Sequence, residues 1–373
     1  MSNEIKAPNR RILVTGASGF IGRRLVEKLI MENDVQLTAV LRNAGKKQLL
    51  QDQNINTIVA DLSNRAAIDQ AVQGHDTVIN LAYDFKRSQK SNMRAFNNLF
   101  DACIKHGVKR FIQISSIVVY DDWPGNDISE QSPTGEAGSD YKNTKMAIER
   151  ALQLSSQQGE LHAIVLQPTI VYGPFSWLWS DYIVEKLETG KVILPHQCDG
   201  ACNAVYVDDV VDAIALAAKK SVRSLEKYII SGPQPVTWRG FYESYNAMVG
   251  KDSIEYMDIA EQPDEQPGLA AKIKTLLANP LSLAQWAPVR HLLNMIQSLL
   301  GDKAIEQLKN LVKKAKKSSG AIIYYPNQYE LKLYAAEGIC DISKARSELG
   351  YQPAVPFKTG IELTAQYVKD VRH

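Results

Sequence analysis

Residues 12–22 read Ile-Leu-Val-Thr-Gly-Ala-Ser-Gly-Phe-Ile-Gly. Four apolar or β-branched residues form a short strand, and the glycines at 16, 19 and 22 lead into an amphipathic stretch. Each glycine answers a separate steric demand. Gly16 permits the tight turn from strand to helix, Gly19 lets backbone approach a pyrophosphate, and Gly22 lets the new helix lie close to the strand. A pyrophosphate placed there meets the free N–H groups of the helix start, so the stretch reads as a dinucleotide loop.

Outward from this loop the same rhythm recurs. Strands are expected at Ile12–Thr15, Gln36–Leu41, Asn56–Ala60, Thr77–Leu81, Arg110–Ser115 and His162–Leu166. Helices are expected near Phe20–Met31, Arg65–Gln73, Asn92–Lys105 and Tyr141–Ser155. Most of the strands are continuously apolar, as strands covered on both faces must be. The alternation predicts an α/β fold, a Rossmann-type doubly wound parallel sheet over residues 8–168. Elements at Val205–Ala218 and Lys227–Ile230 are expected to rejoin that sheet, within about 204–232. Residues 169–203 and 233–373 are expected to form a smaller, mostly helical C-terminal cap that binds substrate over the carboxyl edge of the strands. From Thr237 onward the pattern is too helical to suggest a second parallel sheet.

The whole chain restricts the partners. Its 373 residues suggest about two domains. With 45% hydrophobic and 23% charged residues the composition is that of a globular protein. A net charge of +2 gives no positive excess for nucleic acid. The cysteines at 103, 198, 202 and 340 lack zinc-site spacing, so no metal is expected, and a reduced compartment suits them. The polar start at residues 1–10 and the absence of a long apolar run lead us to expect a cytoplasmic protein. A helical insertion near 263–317 ends in Lys309, Lys313, Lys314, Lys316 and Lys317. Contact with an anionic membrane surface is one reading of it, and we favour a solvated helix face.

The second strand ends at Leu41-Arg42-Asn43. An acidic residue there would suit a free ribose 2'-hydroxyl, whereas a guanidinium suits a 2'-phosphate, with Arg23 or Arg24 in support. NADP(H) is therefore preferred and NAD(H) is the alternative; a surface arginine without a ligand would look the same. Asp61 and Leu62 lie where an adenine would be held, and Leu81 and Ala82 lie on the nicotinamide side.

Tyr141-Lys142-Asn143-Thr144-Lys145 places a phenol and an ammonium on one helix face. A free tyrosine titrates near ~10 and is a poor base. A neighbouring lysine and a positive nicotinamide both favour its phenolate. Ser116 ends the fifth strand, where its hydroxyl can hold the substrate oxygen whose proton Tyr141 takes. Tyr141, Lys145 and Ser116 are the candidate catalytic residues. The expected cofactor contacts are Gly16, Ser18, Gly19, Phe20, Ile21, Gly22, Arg42, Asp61, Leu62, Leu81, Ala82, Tyr141, Lys145 and Pro168.

With these residues the chain resembles an extended short-chain dehydrogenase/reductase of the NAD-dependent epimerase/dehydratase family. The resemblance extends to Asn92–Cys103, Gln167–Pro174, Tyr206–Asp209 and Asp341–Pro353. It implies a nucleotide-sugar, a steroid or another hydroxyl-bearing substrate, and homodimers are common among such proteins. Family members that perform 4,6-dehydration carry an Asp-Glu pair after the catalytic hydroxyl residue, where this chain has Ile117 and Val118. Neither can transfer a proton, which disfavours dehydration, as well as the sugar-acid decarboxylation that uses a glutamate at the second position. Gln167 and Asp121 replace residues common in the family, an arginine and a glycine. Our first expectation is a C4 epimerase or ketosugar reductase acting on a nucleotide-sugar. The second is a steroid- or flavonoid-type ketone reductase. The third is a non-catalytic dinucleotide sensor, which retention of Tyr141, Lys145 and Ser116 argues against.

Overall fold

A computed structural model describes residues 10–50, 55–120, 126–135, 137–259 and 322–372. Seven strands form one parallel sheet: β1 (Arg10–Thr15), β2 (Val35–Leu41), β3 (Asn56–Val59), β4 (Thr77–Asn80), β5 (Arg110–Ile114), β6 (Ala163–Pro168) and β11 (Glu226–Ile230). Their spatial order is β11-β6-β5-β4-β1-β2-β3. Chain order reverses between β1 and β4, and open α/β sheets bind ligands at such a reversal, outside the carboxyl ends of the strands.

Period-2 alternation decides which side chains meet which helices. Ile12 and Val14 of β1 face α1 (Phe20–Leu29) and α6 (Val207–Lys219), joining Leu25, Leu29, Val210 and Ile214 in one buried cluster. Leu13 between them points the other way. It packs with Ile68 of α2 (Arg65–Val72), Leu99 of α3 (Gln89–Lys105) and Ile148 of α4 (Asp140–Gln157). Both faces are apolar because both are covered, which explains the unbroken hydrophobic runs. Asn64, Ser88 and Ser139 cap α2, α3 and α4 by accepting from Ala67, Ser91 and Lys142 backbone N–H groups.

The return of the chain after Pro168 differs in part from expectation. β11 joins β6 and α6 covers the sheet, but β10 (Ala204–Tyr206) does not enter it. It pairs instead with β7 (Ile170–Tyr172), which follows β6 after one residue and forms with β10 a separate two-stranded sheet. Before it come α5 (Tyr182–Thr189), β8 (Gly190–Pro195) and β9 (Ala201–Cys202); β9 pairs with β12 (Val236–Thr237). α7 (Trp238–Val249) follows and ends at Gly250, whose φ of 69° suits a left-handed cap.

A second correction concerns the cap. It is mostly helical, with α5, α7, α8 (Gln328–Ala335) and α9 (Phe357–Arg372), yet it also holds a second parallel sheet. β8 lies between β13 (Ile254–Met257) and β14 (Ile322–Tyr324). Its strands are far apart in sequence and three to six residues long, too short to outweigh the helical pattern around them. The cap has its own core of Tyr172, Tyr206, Trp238, Phe241, Tyr242 and Tyr245. The expected insertion at 263–317, with its lysines, lies outside the described residues, as does Asp121.

Candidate active site

The carboxyl edge of the sheet collects the expected positions. At the end of β1, Gly16 has φ 71°, and a Cβ there would stand 2.9 Å from the Leu81 carbonyl carbon and the Ala82 nitrogen. The loops after β1 and β4 thus touch because position 16 has no side chain. At Gly22 a Cβ would lie 2.2 Å from the Gly16 oxygen, so the third glycine lets α1 close on the loop. Gly19 is exposed and serves as N-cap of α1 without a side-chain cap, unlike the caps of α2, α3 and α4. The first N–H groups of α1 are thus left for a ligand, and the cradle fits a pyrophosphate. Ser18 is half-buried in this turn, while Phe20 and Ile21 pack against the cap core.

A buried polar chain crosses beneath these loops. Thr15 Oγ1 donates to Asn80 Oδ1 at 2.6 Å, Asn80 Nδ2 to Gln113 Oε1 at 2.8 Å, and Gln113 Nε2 to the Ile114 carbonyl at 2.7 Å. Every member is satisfied, so the ends of β1, β4 and β5 hold one register.

At the end of β2, where the ribose is expected, Arg42 is exposed and forms an ion pair with Asp84. Arg87 binds the Asp61 carboxylate through both its terminal nitrogens, at 2.7 and 3.2 Å, and reaches Asp84 at 3.4 Å. The Arg87 guanidinium holds the Asp61 carboxyl well below the usual range. The Leu62 carbonyl accepts from Asn98 Nδ2 at 2.9 Å. Of the two supporting arginines, Arg23 donates to the Ser18 carbonyl at 3.2 Å and stacks on Phe175. Arg24 does not join this rim. Asp208 binds it at 2.8 and 2.9 Å and Glu27 pairs with it, because α1 packs against α6 and buries that face.

Ser116, Tyr141 and Lys145 meet at the ends of β5 and α4. Ser116 lies close enough to Tyr141 to favour its phenolate, and its hydroxyl accepts from the Val118 N–H at 3.3 Å. The Lys145 ammonium is 5.5 Å from the centre of the Tyr141 ring and donates to the Ile114 carbonyl at 2.7 Å. Burial pushes Lys145 down to about 8, and Glu149 opposes that shift. Tyr141 moves the opposite way from the direction expected on sequence. Burial raises it to about 12, with Tyr83 and Tyr329 adding to the rise and Ser116 opposing it. Pro168 closes the edge at the end of β6.

Several neighbours of Tyr141 escape a motif search. Tyr83 packs edge-on against it at 4.9 Å, and Phe85 stacks on it at 5.2 Å while remaining 76% exposed. Both sit on the loop after β4, nearly 60 residues upstream, where aromatic residues carry no local signature. A cleft of about 710 Å³ opens between the residues after β5, the start of α4, and α8; the chain neighbours Ile117 and Lys142 line it, while Ser116, Tyr141 and Lys145 themselves do not. Ile117, Val118, Ile128, Ala335 and Ala336 give it an apolar wall; Ser139, Lys142, Gln328 and Lys332 supply polar groups. Among the described residues, no group of three metal-ligating side chains could hold a metal, and no helix is long and apolar enough to cross a membrane.

Comparison with known proteins places this site in a family. The chain is 23% identical to the uncharacterized protein YbjS of Escherichia coli strain K12, over 96% of this chain and 98% of that one. It is 24% identical to 3beta-hydroxysteroid-dehydrogenase/decarboxylase isoform 1 of Arabidopsis thaliana, over 98% and 81%. In fold it is similar to UDP-glucose 4-epimerase of Thermotoga maritima solved with UDP-glucose, with a TM-score of 0.67 at 20% identity, over 97% of this chain and all of that one. The family model for NAD dependent epimerases and dehydratases matches residues 12–231, which include the glycine loop, Ser116, Tyr141 and Lys145, and the chain belongs to the NAD-dependent epimerase/dehydratase family of extended short-chain dehydrogenase/reductase enzymes.

Proposed function

We propose that this enzyme interconverts a secondary alcohol and a ketone on a substrate held in the cleft lined by Ile117 and Lys142, the chain neighbours of Ser116 and Tyr141. The observation that carries the reading is the meeting of Ser116, Tyr141 and Lys145 at the sheet edge that ends in the glycine loop. Ser116 holds the substrate oxygen. Tyr141 takes or returns the hydroxyl proton, and the Lys145 ammonium favours the phenolate form. A bound nicotinamide would supply the hydride acceptor or donor. Tyr83 and Phe85 shield the phenol from water on one side.

Of the two substrate classes expected from the sequence, we propose the apolar ring ketone first and the nucleotide-sugar second. An apolar wall of Ile117, Val118, Ile128, Ala335 and Ala336 suits a steroid- or flavonoid-type ring ketone better than a hydrated sugar. The similarity to a hydroxysteroid dehydrogenase over nearly the whole chain supports that reading. The nucleotide-sugar reading retains support from Lys142 and Lys332, two basic residues that line the same cleft and suit a diphosphate. NADP(H) is the proposed cofactor, supported by Arg42 at the end of β2, although a 2'-phosphate must compete with Asp84 for it.

The test is a panel of steroid and flavonoid ketones, their alcohols, and nucleotide-sugars, followed through absorbance of the reduced nicotinamide and product analysis. Net cofactor consumption with an apolar ketone is the expected result. Sugar inversion without net consumption would establish the epimerase instead. Tyr141→Phe should abolish turnover and leave cofactor binding nearly unchanged; retained turnover would remove the mechanism.

A further inference from the structure

Helix α4 carries a third polar group on the face that presents Tyr141 and Lys145. Glu149 lies one turn beyond the lysine and is 3% exposed. An ionised carboxylate at such depth is unfavourable unless its oxygens are fully engaged, and they are. Ser115 Oγ donates to Oε1 at 2.5 Å, Gln167 Nε2 approaches Oε1 and Oε2 at 3.0 and 3.2 Å, and Lys227 Nζ stands 2.8 Å from Oε2. Gln167 in turn accepts from the Tyr120 hydroxyl at 2.7 Å.

These partners bracket Ser116. Ser115 immediately precedes it, and Tyr120 ends the short turn that follows it. The flank before Ser116 is therefore bound to Glu149 directly, and the flank after it through Gln167. One residue further back, the Ile114 carbonyl accepts from Lys145 itself. The end of β5 is thus sewn to α4 at two successive turns, by Lys145 and by Glu149. The balancing cation comes from β11, the edge strand, so the returning chain completes the arrangement.

We propose that Glu149 is a positioning residue: its buried carboxylate, neutralised by Lys227, fixes the strand end carrying Ser116 against the face of α4 that carries Tyr141 and Lys145. The proposal rests on the reading that these three residues form the reacting site. A second consequence follows from its charge. Glu149 opposes the burial of Lys145 and so helps that side chain keep its proton. Among the described residues, the other titratable or charged groups facing the cluster include Tyr83 and Asp84 from the loop after β4, Asp140 from the start of α4, Tyr329 from α8, Tyr120 after β5 with Glu130 and Cys340 beside it, and Lys227 from β11.

The titration itself needs no substrate. Full-length protein labelled with carbon-13 at lysine Cε is titrated by NMR, and the Lys145 signal is assigned by its loss in Lys145→Met. The parent signal should titrate at about 8. In Glu149→Gln the midpoint should fall by about one unit, a tenfold loss of proton affinity. Glu149→Gln/Lys227→Met leaves no orphaned cation, so it should melt close to the parent and still show the lowered midpoint. It replaces the single variant if that one does not fold. An unmoved Lys145 midpoint in the folded variants overturns the proposal. A fall confined to the single variant also overturns it, because the unpaired Lys227 would then be the cause. Lost turnover in Tyr141→Phe beside an unmoved midpoint would reject Glu149 and keep the site, whereas retained turnover would reject the site whatever the titration shows.

Discussion

Arg42 and Asp84 form an ion pair across the rim of the cofactor groove, joining the end of β2 to the loop after β4. Asp84 stands between Tyr83 and Phe85, the two rings packed on Tyr141. Asn92 holds the same residue from α3, with its Oδ1 accepting from the Asp84 N–H at 3.1 Å and its Nδ2 donating to the Asp84 carbonyl at 3.0 Å. The residue proposed to select between the two dinucleotides is thus tied to the loop that covers the phenol.

Cofactor choice should follow this pair. Arg42→Ser should weaken NADPH binding about tenfold, roughly 1.4 kcal/mol, while leaving NADH within about twofold. Asp84→Asn should tighten NADPH relative to NADH by releasing the guanidinium. Dissociation constants from fluorescence of the bound reduced cofactor decide the matter. Equal weakening of both cofactors by Arg42→Ser would remove the case for a 2'-phosphate.

The third glycine is open to a sharper test, because its Cβ space is filled by backbone. Gly22→Ala would put a carbon 2.2 Å from the Gly16 oxygen, so the loop or α1 must move. Cofactor affinity should fall at least about tenfold, and the melting temperature should drop. Gly74→Ala is the comparison: nothing lies within 4 Å of its Cβ, though its φ of 83° adds strain. It should lose stability without losing affinity. Normal cofactor binding by Gly22→Ala would contradict the assigned role of the loop.

Lys145 makes stability depend on pH in a defined window. Its folded value of about 8 lies below the ordinary 10.5. Below about 8 both folded and unfolded chains hold the proton. Between about 8 and 10.5 only the unfolded chain holds it, so this group makes stability rise with pH across that interval. Urea unfolding of the parent and of Lys145→Met at several pH values isolates the contribution. A parent curve that does not gain on the variant across the window would show that the lysine is not desolvated.

Asp209 works in the opposite sense. It lies buried at the start of α6 and accepts from the Ala354 and Val355 N–H groups at 2.8 and 3.3 Å, holding the segment before α9. Burial raises it from 3.8 to about 6, against those two bonds. Between those values the folded state binds the extra proton, so stability falls as pH rises from about 4 to about 6 and stays lower above that. Asp209→Asn should lack this fall, which melting at pH 4, 5, 6 and 7 will show. An identical pH dependence in parent and variant would rule Asp209 out as its source.

What the sequence by itself determined is what local geometry dictates. The glycine loop, the alternation of buried strands with amphipathic helices, and the shared face of Tyr141 and Lys145 follow from periods of 2 and 3.6 residues, which the backbone sets wherever it lies. Tertiary structure decided the rest. The stacking of Phe85 on Tyr141, the pairing of Arg42 with Asp84, the balance of Glu149 by Lys227, and the small sheet of β8, β13 and β14 all join residues distant along the chain. Their partners are chosen by how whole elements stack. Burial, which moved Tyr141 against its expected direction, likewise exists only once the chain has closed around it.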